Sequence, residues 1–324
     1  MTNPRIICLG EILFDYLADQ IGKSYSEVTS WTHYPGGAPA NVACALVKLG
    51  TPAAFIGCLG QDQPGNELLE LCQEIGVDTT GVQRHPSAPT RLVYVVRSEN
   101  GDREFAGFGN RTPDEFADAF LHAQKLPVSL FEPANFLIHG TLELAYPQTR
   151  EAIFLALDLA EQYDLKVMVD VNWRPKFWLN QEDAKPLIEK LWSKVDFVKL
   201  ASEEAEWLFD TTDAGAIAHR LNSVEGVIVT DGGAEVSYCL SDNEGKIKPF
   251  SMSVQDTTGA GDSFVAGFLH QIDQRGISSL QDKETAHEIV TYACAVGGLT
   301  TTKPGAIASQ PTADAVATFL EQIK

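Results

Sequence analysis

Short apolar runs that end in glycine alternate with stretches of helical spacing along most of this chain. Ile6–Leu9 is wholly apolar and closes at Gly10, which predicts a first strand. Residues 40–49 carry helical spacing and stop at Gly50, a helix-ending residue. Residues 53–58 read as a strand, and 65–75 as a helix closed by Gly76. A β-α-β-α order with short connections predicts a parallel sheet, because parallel neighbours need a crossover between them. The rhythm resumes with strands at 136–139, 166–171, 197–200 and 227–230, and helices at 148–163, 185–192 and 203–208. Segments 235–240 and 246–251 suggest a late antiparallel pair, and 262–272, 283–301 and 313–323 predict helices.

Two regions break that rhythm. Residues 28–34 and 91–108 are rich in Val, Tyr, Phe, Thr and Trp, and the second alternates around Glu99-Asn100-Gly101-Asp102. That is a hairpin signal rather than a crossover unit. The expectation is a single α/β domain over residues 1–324, with a small β-sheet lid from about 12–35 and 90–111. In open α/β sheets the functional residues lie beyond the C-terminal ends of the strands.

Composition narrows the function classes. Among 324 residues, 44 acidic against 24 basic give a formal charge of -20, so a nucleic-acid partner is not expected. An acidic chain that handles phosphate must supply local cations, helix N-termini or a metal. The six cysteines form no C-x-x-C pair, which fits a reducing compartment. No apolar run reaches the ~20 residues needed to span a bilayer, and no signal-peptide layout opens the chain. A cytoplasmic location is the expectation.

Three segments could carry chemistry. The first is Asp256-Thr257-Thr258-Gly259-Ala260-Gly261-Asp262-Ser263, followed by an apolar helix. Small residues at a helix start let backbone N–H groups approach an anion, and the helix dipole favours negative charge there. A carboxylate in that place makes sense if Asp262 takes a proton from an attacking hydroxyl. A glycine-rich turn with Asp262 as a helix cap accounts for the same residues. The second is Gly36-Gly37-Ala38-Pro39-Ala40-Asn41, where Asn41 offers donor and acceptor to a sugar hydroxyl, or simply opens a helix. The third places Asp15 just past the first strand, either to accept bonds from two hydroxyls or as a surface cap. No Gly-x-x-x-x-Gly-Lys-Ser/Thr loop, dinucleotide fingerprint or protein-kinase catalytic loop is present.

Taken together, these segments resemble the ribokinase-like (phosphofructokinase B-type) family of carbohydrate kinases. The first pattern runs from Gly36 and Gly37 through Asn41 and Ala43 to Gly50 and Gly60; the second covers 256–269. Gly10-Glu11-Ile12-Leu13-Phe14-Asp15, the Gly-Gly-Ala-Pro-Ala-Asn-Val-Ala form at 36–43 and Asp170-Val171-Asn172-Trp173-Arg174 are most similar to its fructokinase group.

The resemblance implies a three-layer α/β/α sandwich with a lid, and transfer of the γ-phosphoryl group of ATP to a primary sugar hydroxyl, fructose first. It implies Asp262 as catalytic base, with Gly259, Ala260 and Gly261 as the anion hole. It assigns Asp15, Gly36, Gly37, Asn41 and Arg174 to the sugar. Lys199, Thr230 and Gly232 fall to the nucleotide phosphates and ribose, and Cys294, Gly305 and Ala306 to the adenine. Glu204 would organise Mg²⁺ through water. Asp256 and Thr258, with Gly305 and Ser309, would form a monovalent-cation site for K⁺. A homodimer through the lid sheet is implied too.

The chain departs from the family pattern at Ala201, Cys294 and Glu235. Rival readings are another sugar kinase of the same fold (2-keto-3-deoxygluconate, ribose or nucleoside), a non-catalytic sugar-binding regulator, and a dinucleotide oxidoreductase, against which the missing glycine fingerprint counts.

Overall fold

The computed structural model describes residues 3–99 and 103–322. Its centre is a nine-stranded sheet. In chain order these strands are β1 (Ile6–Leu9), β4 (Ala53–Gly60), β5 (Asp78–His85), β8 (Phe136–His139), β9 (Lys166–Asp170), β10 (Phe197–Ala201), β11 (Gly226–Thr230), β12 (Val236–Leu240) and β13 (Asn243–Ile247). The spatial order is β13-β12-β11-β10-β9-β8-β1-β4-β5. Pairings from β11 to β5 are parallel, and β12 and β13 close one edge antiparallel.

The pleat explains the layers. Ile7 and Leu9 face one core, with Leu137, Val167, Val169, Val198 and Val227. Ile6 and Cys8 face the other, with Phe136, Ile138, Met168, Phe197 and Ile228. The central strands β1, β4, β8, β9, β10 and β11 are largely apolar because helices cover both faces, and the polar strands β5 and β13 lie at the sheet's edges. The first core is covered by the helix Pro147–Gln162, among others. The second is covered by α1 (Ala38–Lys48), together with the later helices α3 (Ala260–Arg275) and α4 (Lys283–Thr300). A short helix, α2 (Ser202–Phe209), follows β10.

The lid is a separate four-stranded sheet of order β3-β2-β6-β7, made of β2 (Leu13–Ile21), β3 (Trp31–Gly36), β6 (Leu92–Arg97) and β7 (Arg103–Gly107). β6 and β7 pair antiparallel as the hairpin pattern predicts, while residues 100–102 of the expected turn lie outside the described residues. At the root of β6, Arg91 is fully buried and held by Asp118 through bonds of 2.5 and 2.8 Å. That pair fixes where the lid leaves the body.

Several expectations need correction. β5 was not predicted, because its sequence DTTGVQRH is polar; it sits at the sheet edge, where one side faces solvent. The helix Ala214–Leu221 was missed too. The last strand is Asn243–Ile247, not 246–251. Ser241 and Asp242 have φ of 46° and 67°, so a two-residue turn lets pairing begin at once, Leu240 against Asn243. The helix expected at 185–192 ends at Glu189. Among the described residues no helix is long and apolar enough to cross a membrane.

Candidate active site

The site is built on two helix starts that face each other. α1 begins after Gly37, whose φ is 104° and whose missing Cβ would fall 2.6 Å from the Glu11 carbonyl oxygen. Only glycine fits that approach and that conformation. Glu11 Oε1 accepts the Ala38 N–H at 2.8 Å, tying the loop after β1 to the helix. Asn41 therefore points inward from the first turn. Its Nδ2 donates to Asp262 Oδ2 at 2.7 Å, across 221 residues of sequence.

Asp262 stands in the first turn of α3. Gly259 caps that helix with φ 76°, and a Cβ there would lie 2.7 Å from the Ala306 Cβ. The Ala260 N–H turns back to the Thr257 carbonyl at 3.2 Å. The amides of Gly261 and Asp262, which have no intrahelical acceptor, are thus the ones left to meet an anion. Ala260, expected beside them in the anion hole, has its amide engaged within the turn and borders the second cavity described below.

A cavity of about 690 Å³ opens above these residues. Asp15, Gly37, Asn41, Arg174, Lys199, Glu204, Asp256, Thr258, Gly259, Gly261, Asp262, Gly305 and Ala306 all line it. The pleat of β2 turns Leu13, Asp15 and Leu17 towards it. Gly36 ends β3 opposite Leu13 and does not line it.

The electrostatics suit proton removal. Burial pushes the Asp262 carboxyl up to about 6, against the hydrogen bond from Asn41; nearby Asp170 adds to the rise, and Lys199 and Arg174 oppose it. Asp262 is thus ionised at neutral pH yet a better base than a surface aspartate. Burial also lifts Asp15 to about 6, with Arg103 and Arg174 pulling the other way. Glu11, unsuspected from sequence, rises to about 7 because it is buried.

On the far wall, Lys199 of β10 pairs with Asp170 of β9 at 3.0 Å, both buried. Burial alone would lower the lysine, but Asp170 and Glu204 outweigh it and keep the charge. Glu204 is the third residue of α2. Its Oε2 reaches back to the Ala201 N–H at 2.7 Å, and its Oε1 takes the Trp173 N–H at 2.5 Å. The departure at Ala201 leaves this anchoring intact, since the bond uses backbone. Burial raises Glu204, opposed by Lys199.

A second cavity of about 470 Å³ lies behind Gly261 and Thr257, which border both. Thr230, Gly232 and Cys294 line it, as do Phe250, Met252, Val254, Gly297 and Gly298. The apolar wall was not foreseen; the glycine pair inside the long α4 helix was its one sequence signal. Gly305 and Ala306 do not join Cys294 here, contrary to expectation. The Gly305 N–H donates to Asp256 Oδ2 at 2.9 Å, which draws that loop to the first cavity. Lys199 likewise lies in the first cavity, held there by Asp170. Ser309 lines neither; its hydroxyl donates to the carbonyls of Gly305 and Ala306.

One lid residue was missed. Arg103, at the start of β7, donates from Nη1 to Thr258 Oγ1 at 2.6 Å and from Nη2 to Asp256 Oδ2 at 3.1 Å. These are the side chains that the resemblance assigns to a monovalent cation.

Comparison with known proteins identifies the family. The family model described as pfkB family carbohydrate kinase matches residues 3–313. Fructokinase-1 of Zea mays is 34% identical over 320 residues, covering 98% of each chain. Probable fructokinase-2 of Arabidopsis thaliana is 34% identical, covering 98% of this chain and 95% of the relative. The solved structure of fructokinase with bound ATP from Xylella fastidiosa superposes with a TM-score of 0.89 at 30% identity, over 99% of both chains. A match this long, meeting a helix start that holds Asp262 against Asn41, places the chain in the pfkB family of carbohydrate kinases.

Proposed function

We propose that this chain is an ATP-dependent fructokinase, transferring the γ-phosphoryl group of ATP to the 6-hydroxyl of D-fructose. One observation carries the reading: Asp262 stands at the seam between a cavity lined by charged side chains and an apolar-walled one, which share Gly261 and Thr257. Sugar and nucleotide would meet across that seam. The plant relatives are fructokinases by name, and the Xylella structure holds ATP.

In this reading Asp15, Gly37, Asn41 and Arg174 hold the sugar, with its primary hydroxyl at Asp262. Phosphoryl transfer needs positioning and charge stabilisation more than covalent help. Asp262 accepts the hydroxyl proton, and Asn41 orients the carboxylate. The Gly261 and Asp262 amides face the transferring group. Thr230 and Gly232 hold nucleotide, with Cys294 on the adenine side, and the lid excludes water that would compete with the sugar.

Mg²⁺, when bound, neutralises phosphate charge. Glu204 fits a water-mediated contact: each oxygen spends one lone pair on a backbone N–H and keeps another. Mg²⁺ keeps several waters and leans on substrate phosphates, so the lack of a three-ligand protein cluster among the described residues is no obstacle. Potassium enters only in competition with Arg103, whose guanidinium already sits on Asp256 and Thr258.

A homodimer belongs to this reading. Tyr16, Trp31, His33 and Tyr94, with Tyr25, cluster on the lid face away from the cavity, Tyr16 stacked on His33 and the others tilted or edge-to-face. An aromatic band of that kind suits an interface, and light scattering should return twice the chain mass. A cytoplasmic location is supported by six buried, unpaired cysteines.

The test is a panel of sugars with ATP and Mg²⁺, including fructose, ribose, 2-keto-3-deoxygluconate and a nucleoside. Fructose should give the highest kcat/KM. A higher value for another acceptor overturns the substrate, and no transfer to any overturns the kinase reading in favour of a binding protein.

A further inference from the structure

The Asp256 carboxylate is saturated. Its Oδ1 accepts the Thr258 N–H at 3.0 Å and the Thr258 hydroxyl at 2.7 Å. Its Oδ2 accepts the Gly305 N–H at 2.9 Å and Arg103 Nη2 at 3.1 Å. A carboxylate offers about four lone-pair positions, so an added cation must displace a donor. The three donors from Thr258 and Gly305 are built into the turn. The displaceable one is Arg103, whose side chain is 44% exposed on the edge strand of the lid. Thr258 is in the same position: its hydroxyl gives its proton to Asp256 and accepts from Arg103 Nη1 at 2.6 Å. Of the backbone expected at a cation near Gly305 and Ser309, the Gly305 carbonyl already accepts the Ser309 hydroxyl. As they stand, these residues do not fit a bound K⁺.

We propose that Arg103 is a positioning residue that takes the place of a monovalent cation, clamping the 256–259 turn from the lid and making the enzyme independent of K⁺. The turn it clamps leads directly into Gly259 and the first amides of α3, where Asp262 stands. A cation at Asp256 and a guanidinium at Asp256 would do the same electrostatic work. Each cancels the carboxylate's charge beside the transferring phosphoryl group and stiffens the helix start. Arg103 differs in its attachment. It rides on β7, 153 residues away in sequence, so its charge reaches the turn only when the lid is down. A guanidinium stays protonated across the working pH range and presents a fixed fork, which matches the paired acceptors on Asp256 and Thr258. The same group faces Asp15 on the sugar side and holds down the rise that burial causes there. Lid closure, sugar-site charge and the phosphoryl-side turn are therefore joined through one side chain.

This rests on the kinase reading for its kinetic readout, but its binding readout does not. The experiment compares the parent, Arg103→Gln and Arg103→Lys in KCl and in tetramethylammonium chloride at equal ionic strength. Arg103 is half exposed at an edge, and Asp256 keeps its three other donors, so both variants should fold. For turnover, the parent should change less than twofold between the salts. Arg103→Gln should lose at least tenfold in tetramethylammonium, mainly in kcat, and regain most of it with saturating KCl; Arg103→Lys should fall between. For binding, Tm is followed against KCl without sugar or nucleotide. The parent should show no saturable shift beyond that in tetramethylammonium, and Arg103→Gln should gain one. A parent that binds K⁺ saturably, or is activated severalfold by it, overturns the proposal. So does an Arg103→Gln variant that neither binds K⁺ nor loses turnover. If no sugar is phosphorylated at all, the kinase reading fails and the Tm series still decides whether Arg103 excludes the cation.

Discussion

Replacing Asp262 with asparagine removes a charge and a base while keeping the shape of the side chain, so activity and stability should move in opposite directions. Burial raises this carboxyl from 3.8 to about 6, against the Asn41 bond. That difference corresponds to ~3 kcal/mol against the ionised form, reduced to roughly 2 kcal/mol because the half-buried group is partly screened. The Asn41 hydrogen bond at 2.7 Å becomes neutral in the variant, a loss of about 1 kcal/mol. Asp262→Asn should therefore be more stable than the parent by about 1 kcal/mol at pH 8, a Tm rise of roughly 2 °C.

The sign follows from the raised pKa. The parent's stability from this group is fully present below about pH 4 and is lost as pH rises through about 6. The advantage of the variant should thus shrink to about zero near pH 5. Urea denaturation at both pH values measures this, and a coupled ADP-release assay should show turnover down by roughly 10²–10⁴-fold. A variant less stable than the parent at pH 8, or one whose advantage grows on acidification, refutes the electrostatic reasoning. Turnover within tenfold of the parent refutes the base.

Asn41→Ala removes the bond that holds the Asp262 pKa down, so the acid limb of kcat/KM should move above its parental position near 6, read from a pH profile. Lys199→Met leaves Asp170 buried without its partner and should cost about 3–5 kcal/mol by urea midpoint. Gly259→Ala forces a side chain into φ 76° with Ala306 2.7 Å away. Turnover should drop at least tenfold, with about 1–3 kcal/mol of stability lost.

How much of this was legible in the chain depends on how local the cause was. Strands such as Ile6–Leu9 and Phe136–His139 announce themselves because burial on both faces makes all or nearly all of their positions apolar. The glycines at 37 and 259 are tied to backbone conformations that only glycine takes easily, so their segments stood out with Asn41 and Asp262 beside them. β5 was illegible because an edge strand borrows its hydrogen bonds from β4 and needs no apolar pattern of its own. The division between two cavities was illegible too: a single bond from the Gly305 amide to Asp256 decides which of them Gly305 and Ala306 line. The sequence by itself determined that an aspartate would stand at a glycine-rich helix start and that a second sheet would lie beside the main one. Only the tertiary structure decided that Arg103 of that second sheet meets Asp256 and Thr258, because a contact across 153 residues depends on where the lid comes to rest.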